Sequence, residues 1–273
     1  MIACVSALFV YPIKGCRGVA VESAVVEARG LRHDRWWMLV HADTGGFLSQ
    51  RSHPEMARIH VIVAADATLD VTYRREFVAV PFVPDAQLPR TVATIWSYTG
   101  YVPDCGREAA SFFSDLMRVA VRLARAPDDF GRRVSPRYAA APGDGTGFAD
   151  GFPVLLTTEA SLADLNQRLE NPVPMNRFRS NIVVSGDVSL WTEDNWETVR
   201  VGDAYFRAVK PCERCIVTTI AQDTGANTGA EPLATLATFR RDVQSGKVLF
   251  GENLIPEVSS VGRTVSVGDA VTV

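Results

Sequence analysis

Through its first 125 residues the chain alternates short β-type runs with turn residues: Ile2 to Val10, Val19 to Glu27, Arg35 to Val40, Ile59 to Ala64, Thr68 to Tyr73 and Val92 to Trp96. Runs of this length, rich in β-branched and aromatic residues and bounded by Gly, Pro, Asp and Asn, predict half-buried strands. Many such strands with few helices argue for barrel or sandwich modules, because each strand must bury one face against the others. Asp43-Thr44-Gly45-Gly46 supplies a hairpin turn between Trp36-Trp37-Met38-Leu39-Val40 and Phe47-Leu48. One helix is expected at Arg107 to Met117, where Ala110, Phe113 and Met117 fall at helical spacing, followed by a strand at Val119 to Leu123.

From Ala126 to Gly151 the composition shifts to Pro, Gly, Asp and Arg. A connection this long and irregular tends to be functional or mobile, and it divides the chain into modules 1–125 and 126–273. The second opens with a strand at Pro153 to Leu156. A helix follows, started by Thr157 or Thr158, with Leu162, Leu165 and Leu169 on one face. Further strands are expected at Asn181 to Val184, Thr198 to Val201, Ala204 to Val209, Ile216 to Ile220 and Thr264 to Val273, with a short helix opened by Glu231-Pro232. The fold class is therefore β-rich α+β, with a few short helices.

At 273 residues and 47% hydrophobic, the chain can bury a substantial core. Its net charge of -3, from 28 basic and 31 acidic residues, gives no global field to recruit nucleic acid or an anionic membrane. The apolar start lacks a basic leading region and is interrupted by Pro12 and Lys14, so it reads as a strand rather than a signal peptide. No apolar run approaches the roughly 18 residues of a membrane span. Five irregularly placed cysteines do not form a secreted disulfide framework, and a reducing cytoplasm is the expected location.

Cys212-Glu213-Arg214-Cys215 is the chemically richest segment. A cysteine pair can serve zinc, a disulfide switch or a soft metal. A closed zinc site needs about four ligands; here the other cysteines are single, and His33, His41, His53 and His60 all lie in the first quarter of the chain. A thioredoxin-like switch needs a helix after the pair, whereas Ile216 to Ile220 reads as a strand. Two readings remain: a thiolate for a soft transition metal, or two inert buried thiols.

Four turn clusters surround this choice. Lys14, Gly15 and Arg17 suit a phosphate, or form a basic hairpin turn. Arg35 is either paired with a carboxylate such as Asp34 or reserved for an anion. Arg51 ends a strand, where a solvated arginine is the plain alternative. Arg177 and Arg179 precede Asn181; two apart, they share a face if extended and could act on one anion, or else face water. Asp150, closing the glycine-rich loop, could orient a substrate or serve as an ordinary turn residue. Nucleophile-elbow, Walker A and dinucleotide fingerprints are absent from the sequence.

With Tyr11-Pro12-Ile13-Lys14, Asp34-Arg35-Trp36-Trp37, Phe178-Arg179-Ser180-Asn181, Cys212-Glu213-Arg214-Cys215, Asp223-Thr224-Gly225 and Phe250-Gly251-Glu252-Asn253 in this order, the chain resembles the two-module MOSC family of the amidoxime-reducing and YcbX type, nearly end to end. The resemblance implies a MOSC N-terminal β-barrel-like module followed by a MOSC β-barrel, and a molybdenum cofactor, a pterin dithiolene with an anionic phosphate tail. It implies that Cys215 is the thiolate ligand to molybdenum and Cys212 a neighbour. It further implies that Lys14, Arg35, Arg179 and Asn181 hold the pterin and phosphate and that Asp150 lies near the metal. Arg51 and Arg177 are added to the cofactor-binding set from their place in the basic clusters. Gly15 stands where amidoxime-reducing members have a serine, so its backbone amide would replace a hydroxyl contact.

The implied activity is reduction of small N-hydroxylated substrates. The chain ends after the MOSC module, so electrons would come from a separate protein of ferredoxin, cytochrome b5 or flavin reductase type. The alternative is a molybdenum cofactor or sulfur carrier, related to the C-terminal module of molybdenum cofactor sulfurases.

Overall fold

A computed structural model describes residues 3–64, 68–83, 85–127 and 129–273; Met1 and Ile2, where the expected first strand begins, lie outside them. The largest sheet has eight strands in the order Val19–Val21, Cys4–Val10, Ile182–Ser185, Val154–Thr158, Leu249–Pro256, Ala204–Glu213, Thr198–Val201 and Val271–Thr272. Its far edge returns to its beginning. Val5 N–H donates to the Asp269 carbonyl at 2.9 Å and Gly268 N–H to the Val5 carbonyl at 2.8 Å, so the sheet curls into a barrel-like roll. Closure of this kind satisfies backbone groups that an open edge would expose.

The core inside this roll combines Val5, Leu8 and Val26 with Leu156, Val184, Phe206, Leu254 and Val265. Val5, Leu8, Val26 and Leu31 therefore pack with the second half of the chain, whereas Ile13 and Cys16 join an N-terminal core. Val154–Thr158 is buried at all five positions and pairs in parallel with Ile182–Ser185. That explains its unalternated apolar run, which is what a strand covered on both faces requires.

The remaining N-terminal residues build separate cores. One packs the meander His60–Val63, Thr68–Tyr73 and Glu76–Pro81 beneath the helix Arg107–Met117. This helix buries Ala109, Ala110, Phe113 and Met117 and ends at Arg118 in the left-handed region. Its observed bounds match the sequence expectation, because i, i+3, i+4 spacing over three turns has no competing strand reading. A second core lies between the pair Trp37–His41/Val121–Arg125 and the hairpin Arg90–Ile95/Tyr98–Pro103. The expected Asp43–Gly46 turn is present, with His41 N–H donating to the Gly46 carbonyl at 2.8 Å.

Several elements differ from expectation. Val19 to Glu27 is two strands, broken where the chain leaves one sheet for another that pairs Ser23–Glu27 with Thr264–Ser266. The C-terminal run likewise divides into Thr264–Ser266 and Val271–Thr272. Ile216 to Ile220 is not a strand: Ile216–Thr219 is a 3-10 turn. Thr218 places both its N–H (3.1 Å) and its hydroxyl (2.9 Å) on the Cys215 carbonyl, and the Thr219 hydroxyl takes the Ile216 carbonyl. Local threonine bonds of this type compete with strand pairing and here outweigh β propensity. Among the described residues no helix is long and apolar enough to cross a membrane.

Candidate functional site

Two bulges shape the strand that leads to the cysteines. The register of Ala204–Glu213 against Leu249–Pro256 shifts between Ala208 and Lys210 and again between Pro211 and Glu213. Pro211 has no N–H to give the ladder, and bulges re-aim side chains at the ends of sheets. Gly251 on the facing strand has φ +77°, and a Cβ there would lie 2.7 Å from the Leu156 carbonyl oxygen, so the close approach of these strands requires glycine. Beneath them Phe178 stacks on Phe250 at 3.8 Å between ring centroids. Both rings are fully buried, worth about 1.5–3 kcal/mol each.

The strand delivers Cys212 and Cys215 to a cavity of about 590 Å³. Cys215 precedes the 3-10 turn, with its carbonyl held by Thr218. Its thiol faces the cavity and accepts a 3.4 Å contact from the Arg51 guanidinium. Cys212 also lines the cavity, and its Sγ accepts from Arg214 at 3.0 Å. The two thiols are free rather than joined. Burial pushes the thiols of Cys16 and Cys105, which lie elsewhere, up to about 12.

A cationic wall lines the same cavity. Tyr11 is the element around which it is built: its buried ring has the Arg35 guanidinium 4.2 Å from its centroid and that of Arg179 at 4.4 Å. Its hydroxyl donates to the Ser180 carbonyl at 3.1 Å, and burial raises the phenol's pKa although both arginines oppose the rise. Each guanidinium on the ring face gains roughly 0.5–2 kcal/mol, which offsets their mutual repulsion. Burial lowers Arg179 to about 10, still charged at neutral pH. Arg35 and Arg179 both adopt positive φ, 51° and 56°, an arrangement that costs about 1–3 kcal/mol per residue and concentrates at functional sites.

Arg35 is paired and still available. One terminal nitrogen donates to Asp34 at 2.5 Å and to Asn181 at 3.1 Å; the other reaches the Arg179 carbonyl at 3.2 Å, and the fork lines the cavity. Asn181 proves to be a supporting residue. Its amide donates to the Phe9 carbonyl and Asp34 while its oxygen accepts from Arg35 and the Leu155 N–H, which fills its two donors and two acceptor positions. It orients Arg35 and has no bond left for a ligand.

Arg177 does not join this wall, in contrast to the expectation from its spacing. Met175–Phe178 is a 3-10 turn rather than an extended segment, so the side chains of Arg177 and Arg179 diverge. The buried Arg177 donates to the Thr218 carbonyl and to Thr228 Oγ1, each at 3.1 Å, and braces the turn that follows Cys215.

Lys14 and Asp150 close the cavity's third side, with Lys14 Nζ 2.5 Å from Asp150 Oδ1. Burial lowers the Lys14 pKa, and Asp150 opposes that only in part. Burial works to raise Asp150, but the charge and hydrogen bond of Lys14, assisted by Arg51 and the Trp96 N–H, outweigh it and hold the carboxyl well below the usual range. Although protein surrounds this group, its side chain is 59% exposed because it faces the open cavity. Its backbone is fixed by Arg132, which donates to the Ala149 carbonyl and, at 2.8 Å, to that of Asp150. The glycine-rich connection thus runs against the site: Phe148 N–H donates to the Arg35 carbonyl at 2.9 Å.

Gly15, at φ +84°, lines the cavity and presents its carbonyl to Gln50 Nε2 at 2.7 Å. Gln50 and Gln222 exchange amide bonds of 3.1 and 2.9 Å, and Gln222 Oε1 also accepts from Arg179 at 3.0 Å. This pair joins the loop carrying Arg51 to the segment after the cysteines. Arg214 lies within the cysteine segment itself, but the support from Gln50, Gln222 and Arg132 and the position of Trp96 depend on long-range contacts that no local pattern announces.

Among the described residues, Lys14, Arg35, Arg51, Arg179, Lys210, Arg214 and Lys247 face a cavity that holds two carboxylates, Asp150 and Glu213. Thiols and guanidinium forks lining one cavity suit a ligand that carries both a soft cation and a phosphate. Among the described residues no three His, Cys, Asp or Glu side chains are grouped to hold a metal ion.

Family comparison agrees with this geometry. Residues 2–120 match the MOSC N-terminal beta barrel domain and residues 144–272 the MOSC domain. The mitochondrial amidoxime-reducing component 1 of Mus musculus is 34% identical over 256 residues, covering 91% of this chain and 74% of the relative. Component 2 of Bos taurus is 32% identical over 98% of this chain and 82% of its own. The molybdenum cofactor sulfurase of Oryza sativa subsp. japonica is 31% identical over 89% of this chain, which is only 31% of that protein. Two domain matches that together reach from residue 2 to residue 272, and relatives aligned over most of both lengths, place this chain in the MOSC proteins as a member of the amidoxime-reducing component family.

Proposed function

We propose that this protein is a molybdenum-cofactor-dependent oxidoreductase that removes the oxygen of N-hydroxylated compounds such as amidoximes. The observation that carries the reading is that the Cys215 thiol and the guanidinium groups of Arg35, Arg51 and Arg179 line one cavity, with Arg51 in contact with the thiol. Its likeness to the amidoxime-reducing components gives the substrate class.

The residues fit the cofactor by donor chemistry. Cys215 would supply a thiolate, which soft metals prefer, and the pterin dithiolene of the cofactor would bring further sulfur. The forks of Arg35 and Arg179 would hold the phosphate, with the Gly15 backbone lining the same cavity. When bound, the cofactor supplies the two-electron chemistry at molybdenum.

Removing an N-bound hydroxyl oxygen as water consumes two electrons and two protons and leaves the corresponding amine or amidine. The electrons come from a separate redox protein. Asp150, held ionised by Lys14, orients the substrate's N–H groups at the cavity mouth, and the Lys14 ammonium is the nearest buried proton donor to it. We place the protein in a reducing compartment, a reading supported by its five free thiols.

The test is reduction of benzamidoxime by molybdate-grown protein with an artificial electron donor. Turnover that depends on molybdenum supports the reading. Molybdenum retained without turnover would overturn it in favour of a cofactor carrier, the function suggested by the sulfurase relative.

A further inference from the structure

Trp96 occupies the tip of the hairpin Arg90–Ile95/Tyr98–Pro103 with φ of 53°. Hairpin tips ordinarily give such a position to glycine or asparagine, and a bulky residue there is strained. Core filling does not explain it, since the side chain is 50% exposed. It lines the mouth of the cavity instead.

Three contacts fix the ring. Its indole N–H donates to Asp150 Oδ1 at 3.2 Å, the Arg51 guanidinium lies 5.3 Å from the ring centre, and Phe47 meets it edge-on at 5.2 Å. The same Arg51 reaches Cys215 Sγ. Trp96 is thus one side chain removed from the thiol in one direction and bonded to the carboxylate in the other. A substrate approaching Cys215 past Asp150 meets the uncovered ring surface.

We propose that Trp96 is the specificity-determining residue of this site: its exposed ring surface is the platform on which the flat, conjugated part of a substrate stacks, so that aryl and heteroaryl N-hydroxylated compounds are favoured over aliphatic ones. The proposal rests on the reductase reading for the reacting group. The preference itself follows from π stacking, which adds to the gain from buried area and which a saturated substrate cannot make. Through its N–H bond the platform also fixes the stacked ring relative to Asp150.

The experiment compares wild type, W96A and W96F in two arms. In the first, cofactor-loaded protein reduces benzamidoxime and acetamidoxime. W96A is expected to raise KM for benzamidoxime about tenfold more than for acetamidoxime, and W96F to keep most of the aryl preference. In the second, which needs no turnover, tryptophan fluorescence is titrated with benzamidine and acetamidine. Benzamidine is expected to quench the wild type, and W96F to lose most of that quenching.

A rise in KM that is equal for both amidoximes, no rise in W96A, or quenching undiminished in W96F would each overturn the proposal. If wild type reduces neither amidoxime, the reductase reading fails, and the quenching comparison alone decides whether Trp96 is the platform.

Discussion

Asp150 Oδ1 lies 2.5 Å from Lys14 Nζ, which joins a residue of the first loop to one 136 positions later and places an ionised carboxylate at the mouth of a cationic cavity. Asp150's folded pKa is depressed, so its contribution to stability is present above the unfolded value near 4 and is lost as pH falls through the folded value. Unfolding midpoints of wild type and D150N are therefore expected to differ at pH 7 and to stay apart down to about pH 4. Because the carboxylate is 59% exposed, the difference is modest, about 1 kcal/mol. In turnover, no acidic limb near pH 4–5 is expected from this group. A midpoint difference that vanishes already at pH 6 would contradict the assignment.

Tyr11 holds the guanidinium groups of Arg35 and Arg179 against one ring. Y11F keeps the ring and gives up only the hydroxyl bond to the Ser180 carbonyl, a loss of about 1 kcal/mol. Y11L removes the surface that lets two guanidinium groups share the site. Molybdenum retention measured by elemental analysis is expected to survive in Y11F and to fall about tenfold or more in Y11L. Equal retention in both would show that the arginines hold their places without the ring.

Arg177 braces the turn after Cys215. R177A leaves the carbonyl of buried Thr218 short of a donor, while water can replace Arg177 at the exposed Thr228, and the expected loss is about 1–3 kcal/mol in denaturant unfolding. R179A should show the opposite balance, with a smaller stability change and a larger loss of cofactor. If R177A unfolds as wild type does but loses cofactor, Arg177 belongs to the binding set.

Iodoacetamide should separate the cysteines in apo protein at pH 8. The thiols of Cys16 and Cys105 are pushed up to about 12 by burial, so little thiolate is present. Cys212 and Cys215 open on the cavity. Peptide mass spectrometry is expected to show labelling of Cys212 and Cys215 at least about a hundredfold faster than of Cys16 and Cys105. Comparable rates at all four positions would mean that the cavity face is misassigned.

The sequence displayed those parts of the molecule that are locally consistent. The helix Arg107–Met117 has an uncontested period, and Thr158 caps the helix Glu159–Gln167 by accepting from the Ser161 N–H. The segments bearing Lys14, Arg35, Arg179 and Cys215 could be read as chemically loaded because glycines, arginines and thiols cluster in them. What lay hidden depends on distant partners. Leu249–Pro256, a central strand of the roll, carries Gly251, Glu252 and Asn253 in its middle, which no β pattern favours; it persists because strands pair on both of its sides. The 3-10 turn after Cys215 was masked by a β-branched run whose threonines bond locally. Asn181 looked like a ligand residue, and only its four protein partners show that it supports Arg35. Trp96 gave no signal, since an aromatic residue at the end of a strand is ordinary until Asp150, 54 positions away, is placed beneath its N–H.

Cys212 and Cys215 both open on the cavity, and metal retention separates their roles. Wild type, C215A and C212S are grown with molybdate, and each is measured for molybdenum content and for the Mo(V) electron paramagnetic resonance signal. Molybdenum and the signal are expected in wild type and in C212S, with both lost in C215A. Retention in C215A together with loss in C212S would reverse the two thiols, and no molybdenum in any of the three proteins would contradict the account altogether.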